Sequence, residues 1–338
     1  MATLLKNWRE VLTTQNLSSL PEGRPMDLVS KWLLITRASV FPMTLTSGAI
    51  GGLLAVAGPT PAPANWLYFT LAMVGLVLAH AANNMINDYF DLAGGVDSND
   101  YVRGQYAPHP ILSGLISKAG LVTAIAVVNL IDLAILVYLT EARGWAVVVF
   151  ALLGLFISVF YVAPPVKLKH HGLGEPGVAI VWGPLMICGT YFVTTGMLPA
   201  WVAVASLPYA ILVTTVLIGK HVDKLEADRA KGIHTLPVLL GAERSLFLNQ
   251  VLMVSFFVLI LCLVLVGALG AWTLLTFLAL PRLAQVLKVY NQPKPAERPP
   301  NYPIWPLWFV AWAFLLTRMA GGFFVLGLVA NAIYPIFL

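Results

Sequence analysis

Runs of about 20 apolar residues recur along almost the whole of this chain, and no other feature limits its possible folds so sharply. A run of that length crosses the hydrocarbon core of a bilayer as one helix. A backbone inside lipid must satisfy its own hydrogen bonds, which leaves helices or a closed barrel. Nine spans are read, over residues 32–57, 66–90, 119–140, 144–163, 174–195, 200–222, 246–267, 269–290 and 305–334. Of the 338 residues 59% are hydrophobic and only 10% charged, where a soluble domain carries about 25% charge. The predicted fold is an all-α integral membrane bundle of about nine transmembrane helices. Residues 1–28 are polar and lack the apolar core of a cleaved signal peptide. They are expected to form a cytosolic tail or surface helix ahead of one membrane domain over 29–338. Cys188 and Cys262 fall inside spans without a spacing motif and read as small packing residues.

The net charge is +5, and its placement says more than its size. Lys6, Arg9, Arg24 and Lys31 precede the first span; Arg103 and Lys118 lie between the second and third. Lys167 and Lys169 lie between the fourth and fifth. Lys220, Lys224, Arg229, Lys231 and Arg244 surround the loop between the sixth and seventh; Lys288, Lys294 and Arg298 lie between the last two. The opposite loops carry only Arg143 as a basic residue. Basic loops mark the cytoplasmic side, so the N-terminus is expected inside and the C-terminus outside. Topology explains the basicity, and no nucleic acid is expected as a partner.

The second span ends in a polar constellation: Asn83, Asn84, Asn87, Asp88 and Asp91, then Gly94, Gly95 and Asp97. On a helix Asn84, Asp88 and Asp91 fall at i, i+4 and i+7 and share a face, with Asn87 beside them. The glycines end the helix and can turn Asp97 back toward the same space. Carboxylates packed so closely repel one another unless a cation sits among them. Hard oxygen donors suit Mg²⁺, which often shares its shell with a substrate phosphate. Read alone, Asp97 and Asp100 are equally well ordinary loop acids. The sixth span ends in a second mixed cluster: Lys220, His221, Asp223, Lys224, Glu226, Asp228 and Arg229. His221, Lys224 and Asp228 share one helical face there.

These two loops resemble the Asp-rich motifs of the UbiA-type intramembrane prenyltransferase superfamily. Asn84 to Asp97 resembles its first motif, and its Asn87-Asp88-Tyr89-x-Asp91 run is closest to the branch that prenylates dihydroxynaphthoate. Glu226 to Gly232, with Thr235 to Val238 and Gly241 after it, resembles the second motif. Tyr161 to Lys169, with Gly172 to Glu175, resembles the segment that contacts the diphosphate. The resemblance runs from about residue 30 to 335. It implies a central cavity, an isoprenoid diphosphate and an aromatic acceptor as partners, surrounding membrane lipids and a site on the cytosolic side. It also implies Mg²⁺ held by Asn84, Asp88, Asp91, Asp97, Asp223 and Asp228. Arg103, Lys169, Lys224, Arg229 and His221 would bind substrate. Asp88, Asp91, Tyr161, Lys167 and Asp228 would be catalytic. One position departs from the pattern. The second motif usually has two Asp four residues apart, and Lys224 occupies the first slot with Asp223 just before it. Lys224 either supplies a fixed cation to the diphosphate or simply pairs with Asp228 across one turn.

In such an enzyme the leaving diphosphate is neutralised by metal, Lys and Arg, and aromatic faces such as Phe90, Tyr191 and Phe192 are available to shield a carbocation. Glu175 could orient Lys167 or an acceptor proton, and Asp132 and Arg318 are expected to find partners within the spans. Two other readings remain. A terpene cyclase on the same fold would use no acceptor. A transporter would string its acids through the membrane, whereas these gather at one side.

Overall fold

The computed structural model describes residues 2–17, 26–98 and 101–338; Arg24 and Asp100 lie outside them. Among the described residues the chain is helical. An isolated parallel bridge between His171 and His234 is the one β-type pairing. Eight helices are long and apolar enough to span a bilayer, and a shorter apolar helix, Ala146–Phe160, fills the place of the expected fourth span.

In chain order the helices are α1 (Ala2–Thr14), α2 (Leu28–Ile35), α3 (Phe41–Ala57), α4 (Trp66–Ala93), α5 (Val102–Tyr106), α6 (Lys118–Arg143) and α7 (Ala146–Phe160). They continue as α8 (Gly174–Thr195), α9 (Ala200–Asp223), α10 (Leu225–Ala230), α11 (Leu236–Leu240), α12 (Ala242–Leu265), α13 (Ala271–Tyr290) and α14 (Phe309–Ile333). Starts follow ordinary capping chemistry. The Asn65 side chain accepts the N–H groups of Leu67 and Tyr68 at 3.1 Å each to open α4, and Ser117 accepts that of Gly120 to open α6. The expected first span is broken at Arg37, which takes a left-handed backbone (φ 53°) between α2 and the 3₁₀ turn Ala38–Val40. The break accompanies the reach of Arg37 to Asp88 on α4. The N-terminal segment docks as a helix: Val11 is buried against Leu17 and Leu34, and Trp8 Nε1 donates to Asp27 at 2.9 Å.

Helices in lipid gain little from burying apolar surface and associate through close backbone approach and packing. Gly183 lies so near α9 that an added Cβ would fall 2.3 Å from that of Ala210, and Gly51 brings α3 within 2.5 Å of the Ile187 carbonyl on the same measure. Pro184 cannot supply an N–H, and α8 widens to π geometry over Val181–Cys188. The core lies among α3, α8, α9, α12 and α14, with Tyr191, Tyr209, Phe256 and Phe324 fully enclosed. By contrast α6 turns nearly all its apolar surface outward, including Val127, Leu130 and Leu133. Cys188 is buried and Cys262 exposed.

Two consequences position the site. First, α4 has 28 residues, about 42 Å at 1.5 Å per residue, against a hydrocarbon core of about 30 Å. Its last turns, carrying Asn84 to Asp91, therefore stand at the membrane boundary. Second, the wall helices leave a cavity of about 900 Å³ between them, opening on the outer surface of the bundle and running up to Asn84 and Asn87.

Candidate active site

The charged end of the bundle collects side chains from five segments. From α4 come Asn84, Asp88 and Asp91, all buried. Asp88 is fully enclosed and receives both Arg37 and Arg103, the latter at 3.1 Å. Asp91 receives Lys169 on both oxygens, at 3.1 and 2.9 Å. The turn at Gly94 and Gly95 carries Asp97 back as expected: its backbone N–H bonds to the Asp91 carbonyl at 3.0 Å. Asn84 donates its amide N–H to the Thr36 carbonyl at 2.9 Å, so its side-chain oxygen faces away from that bond. From the loop after α9, Lys224 approaches Asp228 at 3.4 Å. Tyr101 donates to the same carboxylate and lays its ring 4.5 Å beneath the Lys224 ammonium.

Electrostatics follow from burial and pairing. Burial acts to lower the Lys169 ammonium, but the Asp91 carboxylate overrides it and leaves Lys169 above its ordinary value. For Lys224 burial wins over Asp228, and Lys169 adds repulsion, so that ammonium titrates below its ordinary range. Asp228 is held below the usual carboxylate range: burial opposes this, and Lys224, His221 and the Tyr101 hydroxyl outweigh it. Tyr101 is driven up by burial and by Asp228, which keeps its hydroxyl a donor.

One oxygen each of Asp88 and Asp97 and one ring nitrogen of His109 lie within 4.8 Å of one another. His109 is nevertheless a poor ligand there. Its Nδ1 accepts the Ile111 N–H at 3.2 Å, which leaves the ring proton of the neutral imidazole on Nε2. That nitrogen lies 3.5 Å from Asp97 Oδ2, and no hydrogen bond joins the two. What remains is a set of hard oxygens. Among the described residues Asp97 Oδ2, Asp228 Oδ2 and Asn87 Oδ1 are buried without a hydrogen-bond partner. This donor set fits Mg²⁺, provided Arg37 or Arg103 yields Asp88. At the second loop Lys224 already pairs with Asp228.

Several expected residues lie elsewhere. Asp223 leaves the cluster: its carboxylate accepts the N–H groups of Trp308, Phe309 and Val310 at 2.8 to 3.1 Å and neighbours Lys294. It caps α14, because the first N–H groups of a helix need an acceptor, and both of its oxygens are turned to that task. Arg229 is exposed and bound to Glu226. Lys167 takes a left-handed backbone (φ 47°) and caps nothing with its side chain. Tyr161 lines the cavity, its ring seated where Gly174 has no side chain. His221 and Glu175 form a buried pair at 2.6 Å, so Glu175 orients His221 and not Lys167. Tyr191 packs on Trp201 and Phe192 on Phe150, near the far end of α8, about 24 Å along the helix from Glu175. They cannot shield a cation at the charged end. Phe90 packs edge-on against Tyr89. Among the described residues Asp132 makes no ion pair and keeps one buried oxygen unpartnered; Arg318 lies over the Phe314 ring.

Sequence reasoning missed Arg37, Tyr101 and His109 as members of the site. A lone arginine inside an apolar run was the available signal for Arg37; Tyr101 and His109 carried none.

The model of the UbiA prenyltransferase family matches residues 45–302. The 1,4-dihydroxy-2-naphthoate octaprenyltransferase of Bacillus subtilis is 25% identical over 259 residues, covering 74% of this chain and 80% of that protein. The enzyme of the same name from Haemophilus influenzae is 26% identical over 280 residues, covering 80% and 88%. A UbiA homologue from Archaeoglobus fulgidus, solved bound to GPP and Mg²⁺, shares the fold with a TM-score of 0.61 at 18% identity, covering 87% of this chain and 99% of that one. With three quarters of its length matched by the family model, the chain is an integral membrane enzyme of the UbiA prenyltransferase family.

Proposed function

We propose that the protein transfers a prenyl group from an isoprenoid diphosphate to an aromatic quinone precursor, with Mg²⁺, at the cytosolic face of the membrane. The observation that carries this reading is a ring of buried ion pairs directly above an apolar cavity of about 900 Å³. The cavity suits an isoprenoid tail, and the ring suits its diphosphate. The dihydroxynaphthoate class of acceptor is favoured because relatives from two bacteria carry that name.

Asn84, Asp88, Asp91 and Asp97 would hold Mg²⁺, and Asn87 and Asp228 offer further unpartnered oxygens. When bound, the ion neutralises charge on the leaving phosphate oxygens. Arg103, Lys169 and Lys224 then exchange their carboxylates for phosphate oxygens. Because each cation begins in an ion pair and ends in one, no buried charge is left bare during the exchange. Tyr101 keeps the Lys224 ammonium in place through its ring, while its hydroxyl holds Asp228. With the C1–O bond of the diphosphate breaking, a nucleophilic ring carbon of the acceptor bonds to C1. Diphosphate departs and the acceptor carbon loses its proton. Wall residues of the cavity, such as Ile86, Ile157 and Leu217, exclude water from the allylic cation.

The test is product analysis by mass spectrometry after incubating the protein in nanodiscs with prenyl diphosphates of several lengths, with and without aromatic acceptors. A prenylated aromatic product that requires Mg²⁺ and disappears in Asp88→Ala is expected. Diphosphate release with a cyclic hydrocarbon in the absence of acceptor would overturn the transfer reading.

A further inference from the structure

Arg318 is the one charged side chain on α14, and the transfer step described above gives it no task. It lies nine residues past Phe309, about 14 Å down the helix, where half the hydrocarbon core measures about 15 Å. Its guanidinium rests 5.7 Å from the Phe314 ring centroid, one turn back toward the charged end. Among the described residues it makes no ion pair and no hydrogen bond. An unpaired arginine at such depth is costly and marks a functional position by default.

Its place in the fold says what it meets. Arg318 and Leu315 line the large cavity and are also exposed on the outside of the bundle, so they stand at the cavity's mouth. Just below them Gly321 lets α14 meet α3: an added Cβ would fall 3.2 Å from Thr46 Cγ2. Inside, the next cation on the α9 wall is Lys220, whose charged neighbours are Arg37, Lys224, Lys169 and Arg103. An unpaired cation at the mouth and a second one within the cavity thus lead from the lipid surface to the ion-pair ring.

The anion that an arginine meets inside a leaflet is a phosphate, which a guanidinium grips with two parallel N–H groups. An isoprenoid diphosphate that enters sideways brings a multiply charged head along the edge of the hydrocarbon, where a bare anion is strongly disfavoured. A cation at the mouth lowers that barrier, and Lys220 receives the head next.

We propose that Arg318 is a docking point, at the side opening of the cavity, for the diphosphate head of a membrane-borne isoprenoid on its way to the ion-pair ring. The inference rests on the isoprenoid-diphosphate reading and adds an entry step to it. A phospholipid phosphate held permanently at the mouth is the competing occupant. It is the weaker match, because it would stand across the opening.

The experiment follows binding, without turnover, to the full chain in nanodiscs with Mg²⁺ present. The probes are two non-hydrolysable prenyl diphosphate analogues: a long-chain one that partitions into the bilayer and a short-chain one that stays in water. Arg318→Gln should slow association of the long-chain analogue about tenfold, the scale of electrostatic steering, and leave the short-chain analogue unchanged. Arg318→Lys should keep most of the native rate. A native long-chain rate in Arg318→Gln overturns the proposal. So does equal slowing of both analogues, which would place the damage at the ion-pair ring. A variant that loses a co-purified phospholipid while both rates stay native assigns the arginine to a resident lipid and overturns the proposal as well. If long-chain association depends on Arg318 and no acceptor is prenylated, the proposal stands and the transfer reading fails. If Arg318→Gln prenylates an acceptor at the native rate from limiting long-chain diphosphate, the reverse holds.

Discussion

Lys169 Nζ sits 3.1 and 2.9 Å from the two oxygens of Asp91, and both side chains are buried. Removing one partner of such a pair strands the other. Lys169→Met should destabilise the protein by about 3–5 kcal/mol, the typical cost of an uncompensated buried charge, seen as a lower unfolding temperature in nanodiscs. The double variant Lys169→Met/Asp91→Asn should recover part of that loss. A single variant as stable as the parent would contradict the pairing.

Lys224 invites the opposite exchange. Lys224→Asp restores the usual acidic slot of the second motif and removes the fixed cation. Turnover at low Mg²⁺ should fall at least tenfold, and the Mg²⁺ dependence should become steeper. If the variant instead gained activity with unchanged affinity for the prenyl diphosphate, Lys224 would be no more than the intrahelical partner of Asp228.

The shifts of Asp228 and Lys169 set two limbs of a pH profile. Asp228 lies below the usual carboxylate range, so its contribution to stability is present above the ordinary value and is lost as pH falls through the lowered one. Lys169 lies above its ordinary value, so its contribution is complete below that value and disappears as pH rises through the raised one. In Lys224→Met the acid limb should move to higher pH, because a main force holding Asp228 ionised is gone. Thermal unfolding across the pH range reads both limbs; an acid limb unmoved by that substitution would contradict the assignment.

Asp223 should behave as a cap and not as a ligand. Asp223→Ala removes the acceptor for three N–H groups at the start of α14, which should cost about 1–2 kcal/mol of stability. The Mg²⁺ concentration needed for half-maximal turnover should stay the same. A weakened Mg²⁺ dependence would return Asp223 to the metal site.

Asp132 has one buried oxygen without a partner, near the middle of α6 and beside Gly75. Unpaired buried polar groups cost about 1–3 kcal/mol. Asp132→Leu should therefore raise the unfolding temperature; a lower one would show that the carboxyl holds a contact of its own.

The sequence disclosed what periodicity carries. The face formed by Asn84, Asp88 and Asp91 follows from helical spacing alone, and all three are buried together. The partners of that face could not be read in the same way. Arg37 lies 51 positions from Asp88, and the bond depends on a left-handed residue that interrupts a uniformly apolar run. The capping contacts of Asp223 were not legible because one position on a helix end decides between two neighbours, and the deciding neighbour, the start of α14, is 85 residues away. His109 lies between two prolines in a loop, where no period marks a side chain's direction. The 15-residue length of α7 was hidden because its flanking residues are as apolar as the helix itself.

The cavity that opens on the outer surface of the bundle has a kinetic consequence. A long isoprenoid that reaches the site sideways is supplied from the leaflet, in two dimensions. Its effective concentration is then a mole fraction among lipids, and an apparent KM expressed per volume should rise in proportion as more bilayer is added to the same amount of enzyme. Water-soluble short-chain diphosphates, arriving from the charged end, should be free of that dilution.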